Sequence, residues 1–213
     1  MGNRNLALPL NFTHARLISC RSLCFCVGRC LKGHAPTTTK TRAPRRHLVT
    51  YRGCSVMPTD AELLSRVTAL GHALPPAAKP VAEFILWRRE GNLVFLAGQI
   101  CERNGVPYPT GVYGKDVDLA TARGGGLAIG LQLLATLRTA LDGDLGRVRQ
   151  VVMVRGFVTA APGMGDYPKV INACSELFIA LWGENGRHAR TSIGVAQLPL
   201  DATVEIDAVF AVD

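Results

Sequence analysis

Two charged residues near the C-terminus have the types and surroundings that a binding or catalytic site needs. Arg190 precedes an apolar segment with the pattern of a strand, and Glu205 lies on one face of the next such segment. A guanidinium in a partly desolvated cleft can hold a carboxylate through two parallel hydrogen bonds, and a nearby carboxylate can hold or deprotonate a water molecule. The two residues therefore predict a site for a small carboxylate, unless they only pair with other charges at a subunit interface.

Residues 60–213 contain few other groups that could do chemistry. The histidines of this part are His72 and His188, its cysteines are Cys101 and Cys174, and it has no GxSxG, HExxH or CxxC motif. The serine-triad hydrolase, zinc protease and thioredoxin-like classes therefore have no support.

The elements that must position Arg190 and Glu205 follow from hydrophobic periodicity and turn residues. In chain order the pattern predicts a strand from near Ala82 to Arg89, its hairpin partner over 93–100, a helix from the N-cap Asp118 to Asp142, a strand over 150–160, a helix from the N-cap Asp166 to Gly183, and two strands over 191–197 and 203–212. This ββαβαββ order predicts an α+β sandwich, a mixed sheet with two helices packed on one face.

The predicted sandwich leaves one face of the sheet open. Val209 and Ala211 belong to that face, so we expect another subunit to cover it. If a turn over residues 198–201 joins the last two strands as neighbours, Glu205 pairs with about residue 194. Arg190 then lies about 13 Å further along the ladder, and a site joining both charges needs a bend, a wide cleft or a neighbouring subunit.

Glycines mark two further segments. The stretch NGVPYPTGVYGK, residues 104–115, has three Gly and two Pro and predicts an irregular surface loop. The run Gly124 to Gly126 lies inside a helical pattern at a cost of about 1 kcal/mol per Gly relative to Ala. Close packing of the helix is one explanation for the run. A phosphate cradle is the other, although no strand directly precedes the run and no GK[ST] ends it.

Three segments of the chain are distinctive: LVFLAGQI at 93–100, the helix with Asn172, and ARTSIGVAQLPLDATVEIDAV at 189–209. In these segments the chain resembles the RidA/YjgF family, also called endoribonuclease L-PSP or chorismate mutase-like. The resemblance covers about residues 80–213 in the same element order. It implies a homotrimer whose sheets form a central barrel, with three clefts between subunits. It also implies hydrolysis of reactive enamines and 2-imino acids to 2-oxo acids and ammonia, with no metal or organic cofactor.

The resemblance implies roles for individual residues. Arg190 is similar to the family arginine that binds the substrate carboxylate, and Glu205 to the glutamate that positions the attacking water. Gly98 matches the backbone site beside the ligand, and Asn172 matches a helix asparagine of the cleft. Ser192 stands at a substrate-contacting position, where the family has a cysteine.

Three positions depart from the family pattern. Val81 stands near the place of a family tyrosine, His188 where a proline is usual, and Ser192 where a cysteine is usual. These changes indicate a divergent branch with its own substrate range, or one in which deaminase activity differs. His188 either takes over a polar role or is an exposed loop histidine without one.

The basic character of the chain belongs to its first 59 residues. They hold ten Lys or Arg and no acid, whereas residues 60–213 hold 14 bases and 16 acids, so the net charges are +10 and −2. This leader is rich in Arg and in Ser or Thr, which predicts a transit peptide for mitochondrial import or else a disordered extension, and a start at Met57 would instead give a cytoplasmic domain. The spacing of Cys20, Cys24, Cys26 and Cys30 in the leader argues against a zinc site.

Three functions remain after these observations. The first is an enamine or imine deaminase that uses Arg190 and Glu205. The second is a non-catalytic trimer that binds a small carboxylate through Arg190 and acts as a sensor or partner protein. The third is a ribonuclease, which we rank last because residues 60–213 have a net negative charge and the chain has few aromatics for stacking on bases. No membrane partner is expected, since no segment approaches the ~18 apolar residues of a membrane span.

Overall fold

The computed structural model describes residues 57–79, 82–103 and 105–213. The leader through residue 56 lies outside the described residues, and so does Val81. The expectations about import, about the leader cysteines, about the boundary at residue 59 and about the family tyrosine therefore stay predictions.

The predicted ββαβαββ order is confirmed, with two additions. The helices are α1 (Asp60–Ala69), α2 (Leu119–Ala140) and α3 (Tyr167–Trp182). The strands are β1 (Trp87–Glu90), β2 (Leu93–Ile100), β3 (Glu102–Arg103), β4 (Val106–Pro107), β5 (Val148–Thr159), β6 (Ala189–Val195) and β7 (Val204–Val212). Helix α1 and the short β3–β4 hairpin inside the predicted loop are the additions.

The main sheet is mixed, in the strand order β1-β2-β7-β5-β6. Strand β7 lies antiparallel between β2 and β5, and β6 runs parallel to β5 on the other side. The expectation that the last two strands pair with each other is therefore wrong. Residues 196–203 instead carry the chain across the end of β5, through a turn in which Leu200 and Asp201 take left-handed φ angles of 55° and 56°.

Helices α2 and α3 pack on the same face of the sheet, as the sequence predicts. Alternate residues of β7 contact them, because successive side chains of a strand point to opposite faces. The rings of Phe178 on α3 and Phe210 on β7 lie 5.5 Å apart, centre to centre, with their planes 73° apart. We call the opposite side of the sheet the open face, because no described element covers it. Its exposed apolar side chains are Phe95, Met153 and Ile193.

Strand β1 begins at Trp87, five residues later than predicted. Trp87 pairs with Leu96, and one more backbone hydrogen bond joins Ala97 N–H to the Leu86 carbonyl at 2.9 Å. The register of β2 then shifts between Leu96 and Gln99. A bulge of this kind bends a strand away from its partner, so the residues before Leu86 have no ladder to join.

Caps begin the two long helices where the sequence places them. The Asp118 carboxylate accepts from the Thr121 N–H at 2.8 Å, as an N-cap does. Asp166 occupies the N-cap position of α3, but its carboxylate accepts from Tyr113 Oη at 2.8 Å and Lys169 Nζ at 3.2 Å instead of from the backbone. Asp166 thus joins the helix to the loop that carries Tyr113.

Close packing accounts for two of the three glycines in the run on α2. A Cβ at Gly125 would lie 2.7 Å from Pro109 Cδ, and a Cβ at Gly126 would lie 2.9 Å from the Val170 carbonyl oxygen on α3. A Cβ at Gly124 would meet nothing within 4 Å. The run therefore lets α2 approach its neighbours, which is the first of the two explanations.

Helix α1 was not predicted, although its first residues carry a recognisable signal. Thr59 and Glu62 form a capping box, the S/T-x-x-E pattern of a helix start. The Asp60 carboxylate accepts from Arg138 Nη2 and from the Leu145 N–H, both at 3.1 Å, and it joins α1 to the rest of the domain. No helix among the described residues is long and apolar enough to cross a membrane.

Candidate functional site

Helix α3 supplies two polar groups of the candidate site. Asn172 and Ser175 are three residues apart, so they lie on the same side of the helix, one turn from each other. Ser175 is only 8% exposed, whereas Asn172 is half-buried. The helix therefore presents an amide and a hydroxyl toward the edge strand β6.

Four residues form a continuous hydrogen-bonded group, which we call the α3–β6 cluster: Asn172, Ser175, His188 and Arg190. Arg190 Nη1 donates to Asn172 Oδ1 at 2.7 Å and to Ser175 Oγ at 3.2 Å. Ser175 Oγ lies 3.0 Å from His188 Nε2, and His188 Nδ1 lies 2.7 Å from the Gly186 carbonyl oxygen. The cluster thus links the guanidinium to the imidazole through a single hydroxyl.

The partners of His188 determine which ring nitrogen carries the proton. A carbonyl oxygen only accepts, so Nδ1 must donate to Gly186. In the neutral ring Nε2 then accepts, and the Ser175 hydroxyl donates to it. Burial lowers the pKa of His188, and the charge of Arg190 lowers it further, while the Gly186 hydrogen bond acts in the opposite sense. The ring is therefore neutral at pH 7, and His188 is not a free loop histidine.

Arg190 keeps unused hydrogen-bonding capacity. Across the part of the chain that the structure describes, its Nε and Nη2 groups donate to no protein atom, and no carboxylate lies within 4.0 Å of its guanidinium. The side chain is exposed and lines a cavity of about 340 Å³ together with Asn172, Ser175 and His188. This arrangement can receive an anion.

Ser192 lies on the same face of β6 as Arg190, because the two residues are two positions apart. Its Oγ is buried and has no hydrogen-bond partner among the residues described. The substrate-contacting position expected for Ser192 is therefore adjacent to the α3–β6 cluster, and Ser192 brings an unsatisfied hydroxyl to it.

Gly98 and Glu205 meet on the open face of the sheet, and we call this pair the open-face cluster. Glu205 pairs with Ile100 on β2, next to the bulge that contains Gly98. A Cβ at Gly98 would collide with the Glu205 carboxylate. The absence of a side chain at Gly98 therefore makes room for that carboxylate.

The Glu205 carboxylate is half-buried and has no salt bridge within the described ranges. Burial raises its pKa, and the neighbouring charge of Asp207 raises it further. Asp207 itself pairs with Arg155, whose Nε donates to Asp207 Oδ1 at 2.8 Å. The open face therefore carries one satisfied ion pair beside one carboxylate without a cation.

A single chain does not bring Arg190 and Glu205 together. The ladder aligns Glu205 with Phe157 and Ile193, whereas Arg190 aligns with Val154, three residues away and two strands across. Regular strand spacing puts the two Cα atoms about 14 Å apart, and the side chains point to opposite faces. Asn172, Ser192 and Arg190 thus belong to one half of the predicted site, and Gly98 and Glu205 to the other.

Sequence reasoning did not single out Ser175. The available signal was its spacing of three residues from Asn172, which puts both on one side of a helix. Its contact with His188 depends on how α3 packs against β6, and no local pattern encodes that. Within the described ranges, no group of three or more His, Cys, Asp or Glu side chains is arranged to hold a metal ion.

Comparison with known proteins gives one family and several relatives. The family model described as endoribonuclease L-PSP matches residues 75–212. The curated protein TCP17 of Trypanosoma cruzi is 36% identical over 150 residues, which are 70% of this chain and 93% of that protein.

Two solved structures are similar over most of their length. One is a protein of unknown function from Agrobacterium tumefaciens, 37% identical with a TM-score of 0.68, and the match covers 72% of this chain and 94% of that one. The other, described as a candidate endoribonuclease from Shewanella oneidensis MR-1, is 23% identical with a TM-score of 0.67, over 70% of this chain and 99% of that one. The second likeness concerns the fold alone.

Proposed function

Because the chain belongs to the endoribonuclease L-PSP family, also called RidA/YjgF, we propose that it hydrolyses reactive 2-imino acids to 2-oxo acids and ammonia. The observation that carries the proposal is the Arg190 guanidinium. Asn172 and Ser175 hold it against a cavity, and no carboxylate of the described chain neutralises it. A guanidinium held in this way suits the carboxylate that every 2-imino acid carries.

The proposed reaction needs one water and no redox partner. The iminium group C=NH2⁺ gains a hydroxyl from water at its carbon, which gives a carbinolamine and releases one proton. That proton moves to the nitrogen, and the C–N bond breaks as the hydroxyl oxygen forms the carbonyl of the 2-oxo acid. Ammonia leaves and takes the hydroxyl proton to become ammonium. Arg190 holds the carboxylate of the substrate, and Glu205 holds the attacking water.

Assembly of copies is part of the proposal, because the two halves of the site lie on different faces of one chain. The open face exposes Phe95, Met153 and Ile193, and large apolar side chains of this kind favour burial against another copy. A closed homotrimer that buries the three open faces would bring the Glu205 of one copy to the Arg190 of its neighbour. The substrate then binds in a cleft between subunits.

The test is turnover of 2-iminopropanoate and 2-iminobutanoate, generated in situ, by the 213-residue chain and two variants. We expect Arg190→Ala to lower kcat/KM by about 10²–10³-fold, because two hydrogen bonds to a charged group are lost. Arg147→Ala is the matched control, since Arg147 lies outside this cavity and pairs with Asp142 at 3.7 Å. We expect the control to retain activity within about threefold.

Two results would overturn the deaminase. One is a folded wild-type protein without turnover on either imino acid. The other is an equal loss of turnover in Arg190→Ala and Arg147→Ala, because the effect would then not depend on the guanidinium of the α3–β6 cluster.

A carboxylate-binding sensor is the second candidate. It is favoured by the fact that the α3–β6 cluster is complete within one chain, whereas Glu205 lies elsewhere. Such a protein would bind 2-oxobutanoate with an affinity that depends on Arg190, yet would turn over no imino acid. Arg190-dependent binding of 2-oxobutanoate without turnover of imino acids would therefore support the sensor over the deaminase.

Ribonuclease activity, which the family name suggests, is the least supported of the three candidate functions. Residues 60–213 carry 14 bases against 16 acids, and single-stranded RNA is held by basic grooves with stacking aromatics. Salt-dependent binding of RNA by the protein would support this function instead.

A further inference from the structure

The α3–β6 cluster contains a proton path that the binding of a carboxylate does not by itself require. The path runs from the Ser175 hydroxyl, which lies beside Arg190 in the cavity, to His188, whose second nitrogen is bonded to the Gly186 carbonyl. A hydroxyl next to an imidazole whose other nitrogen is fixed is the usual geometry of a base held in one tautomer.

We propose that His188 is the residue that exchanges protons with the substrate, through Ser175, in the site proposed above. The proton released by the attacking water passes to Ser175 Oγ while the Ser175 proton passes to His188 Nε2. The same proton returns to the carbinolamine nitrogen before the C–N bond breaks. Since His188 ends each cycle neutral, the relay adds nothing to the balance of the reaction. The inference rests on the proposed function and adds to it a proton acceptor that acts through Ser175.

The geometry favours His188 over the other titratable groups nearby. Within one chain Glu205 points to the other face of the sheet, whereas His188 is joined to Arg190 through the Ser175 hydroxyl. The buried thiol of Cys174 cannot replace it, because burial raises its pKa to about 12. The Ser175 hydroxyl is already oriented toward Nε2, so no side chain has to rotate before the transfer.

The charges around His188 set how readily it takes a proton. Arg190 faces it from β6 and opposes protonation. Glu176 of α3 lines the same cavity but is paired with Arg123 at 2.8 Å. Arg187 and Glu184, in the turn before β6, neutralise each other at 3.0 Å.

A bound carboxylate changes this balance, because it neutralises Arg190. The main charge that opposes protonation of His188 is then removed, and the pKa of His188 rises. Binding of an anion at Arg190 and protonation of His188 are therefore linked, and each must favour the other. We expect the protein to take up a fraction of one proton when it binds a carboxylate near pH 6.5.

Calorimetry tests this linkage without any turnover. Titration of 2-oxobutanoate into the 213-residue chain, in two buffers of different ionisation enthalpy, gives the number of protons taken up. We expect uptake by the wild-type protein, no uptake by His188→Gln, and wild-type uptake by His72→Gln, which changes the other histidine of residues 60–213. The affinity of the wild-type protein should rise about threefold from pH 7.5 to pH 6.0.

Kinetics test the relay itself. We expect His188→Gln and Ser175→Ala each to lower kcat about 10²-fold with a change in KM of less than about threefold, and to abolish the acid limb of the pH–kcat profile. Ser175→Ala keeps His188 and leaves Arg190 its hydrogen bond to Asn172, so a loss of kcat with an unchanged affinity for 2-oxobutanoate separates the relay from simple anion binding. Unfolding curves of all variants check that the domain is folded.

The outcomes distinguish the two proposals. Absence of Arg190-dependent binding and of turnover in the wild-type protein would overturn both. Arg190-dependent binding without proton uptake, or uptake that persists in His188→Gln, would overturn the role of His188 and leave the proposed function standing. An unchanged acid limb in Ser175→Ala would also overturn the relay.

Discussion

The α3–β6 cluster and the open-face cluster differ in how far one chain satisfies their polar groups. In the first, Asn172, Ser175 and His188 hold the guanidinium of Arg190 in a connected set of hydrogen bonds. In the second, the Glu205 carboxylate is half-buried, has no cation within the described ranges, and lies among apolar residues of the open face.

This difference indicates what each surface is for. A cationic group that is oriented but not neutralised is prepared for a small anion. A carboxylate on an apolar face is costly while it is charged and solitary, and in the proposed trimer it is available to hold the water of the reaction once another copy closes the cleft. The two clusters therefore behave as two halves of a site that assembly joins.

Mixing two inactive variants should restore activity if the halves come from different copies. We expect Arg190→Ala and Glu205→Gln each to lose about 10²-fold or more in kcat/KM. In trimers assembled at random from equal amounts of both, about a quarter of the sites combine an intact Arg190 with an intact Glu205 from the neighbour. Co-expression of the two chains, followed by a deaminase assay, measures this.

The mixing control is a double variant that carries both changes in one chain, co-expressed with the wild-type protein. A mixture of the single variants that stays as inactive as its components would show that both groups act from the same copy. The half-site interpretation would then be wrong.

Adding one methyl group at Gly98 should disturb the open-face cluster alone. A Cβ at this position collides with the Glu205 carboxylate, so Gly98→Ala must displace it, and we expect kcat to fall by about 10-fold to 10²-fold. Carboxylate binding at Arg190 should change little. Gly124→Ala is the matched control: its Cβ meets nothing within 4 Å, and Ala in a helix should stabilise the fold by about 0.5–1 kcal/mol. Full activity in Gly98→Ala would show that the position of the Glu205 carboxylate does not matter for the reaction.

The unpaired state of Glu205 should be visible in the pH dependence of stability. Its pKa is raised in the folded protein, so the folded state binds the proton more tightly than the unfolded state does. The resulting stability is fully present below the ordinary pKa of about 4.5 and is lost as the pH rises through the folded pKa. Glu205→Gln, which is neutral throughout, should therefore raise Tm by about 2–4 °C at pH 7.5 and by nothing at pH 4.

Glu62 gives a contrast of opposite sign in the same experiment. Hydrogen bonds from Thr59 lower its pKa, so Glu62→Gln should lower Tm at pH 7.5. A fall in Tm for Glu205→Gln at pH 7.5 would mean that the Glu205 carboxylate is paired in the assembled protein with a positive group that one chain alone does not provide.

The smallest effect is expected at Ser192. Its buried Oγ has no partner among the described residues, and a thiol tolerates apolar burial better than a hydroxyl. Ser192→Cys should therefore stabilise the protein by about 1 kcal/mol and change kcat/KM by less than about threefold. Ser175→Cys is the comparison, since Ser175 is fully hydrogen-bonded and its change should destabilise the protein. Thermal unfolding of both variants decides this.

The sequence predicted the order of the elements better than their pairing. Periodicity and caps placed α2, α3 and the strands within a few residues, because those signals are local. The β6–β7 pairing was wrong, since a turn at residues 198–201 is compatible both with a hairpin and with a crossing over the end of β5. Which one forms depends on whether β6 and β7 pair with each other or each pairs with β5, and local sequence does not decide this.

The sequence likewise identified the individual residues of the candidate site better than their contacts. Arg190 and Glu205 were identified from residue type and position, and Gly98, Asn172 and Ser192 from a resemblance. None of these routes could find Ser175. Its role comes from the contact with His188, which is 13 residues further along the chain and directly precedes β6. Nor could they show that Arg190 and Glu205 face opposite ways.

The sequence by itself determined most of the helices and strands, the net charge of residues 60–213, and which side chains are able to bind an anion or move a proton. These properties depend on residue types and short-range spacing. Only the tertiary structure decided that His188 holds one tautomer through Gly186, that Gly98 makes room for Glu205, and that the charged groups of the site lie on two faces of the sheet. Those facts depend on strand order and on packing between distant segments, which local patterns do not encode.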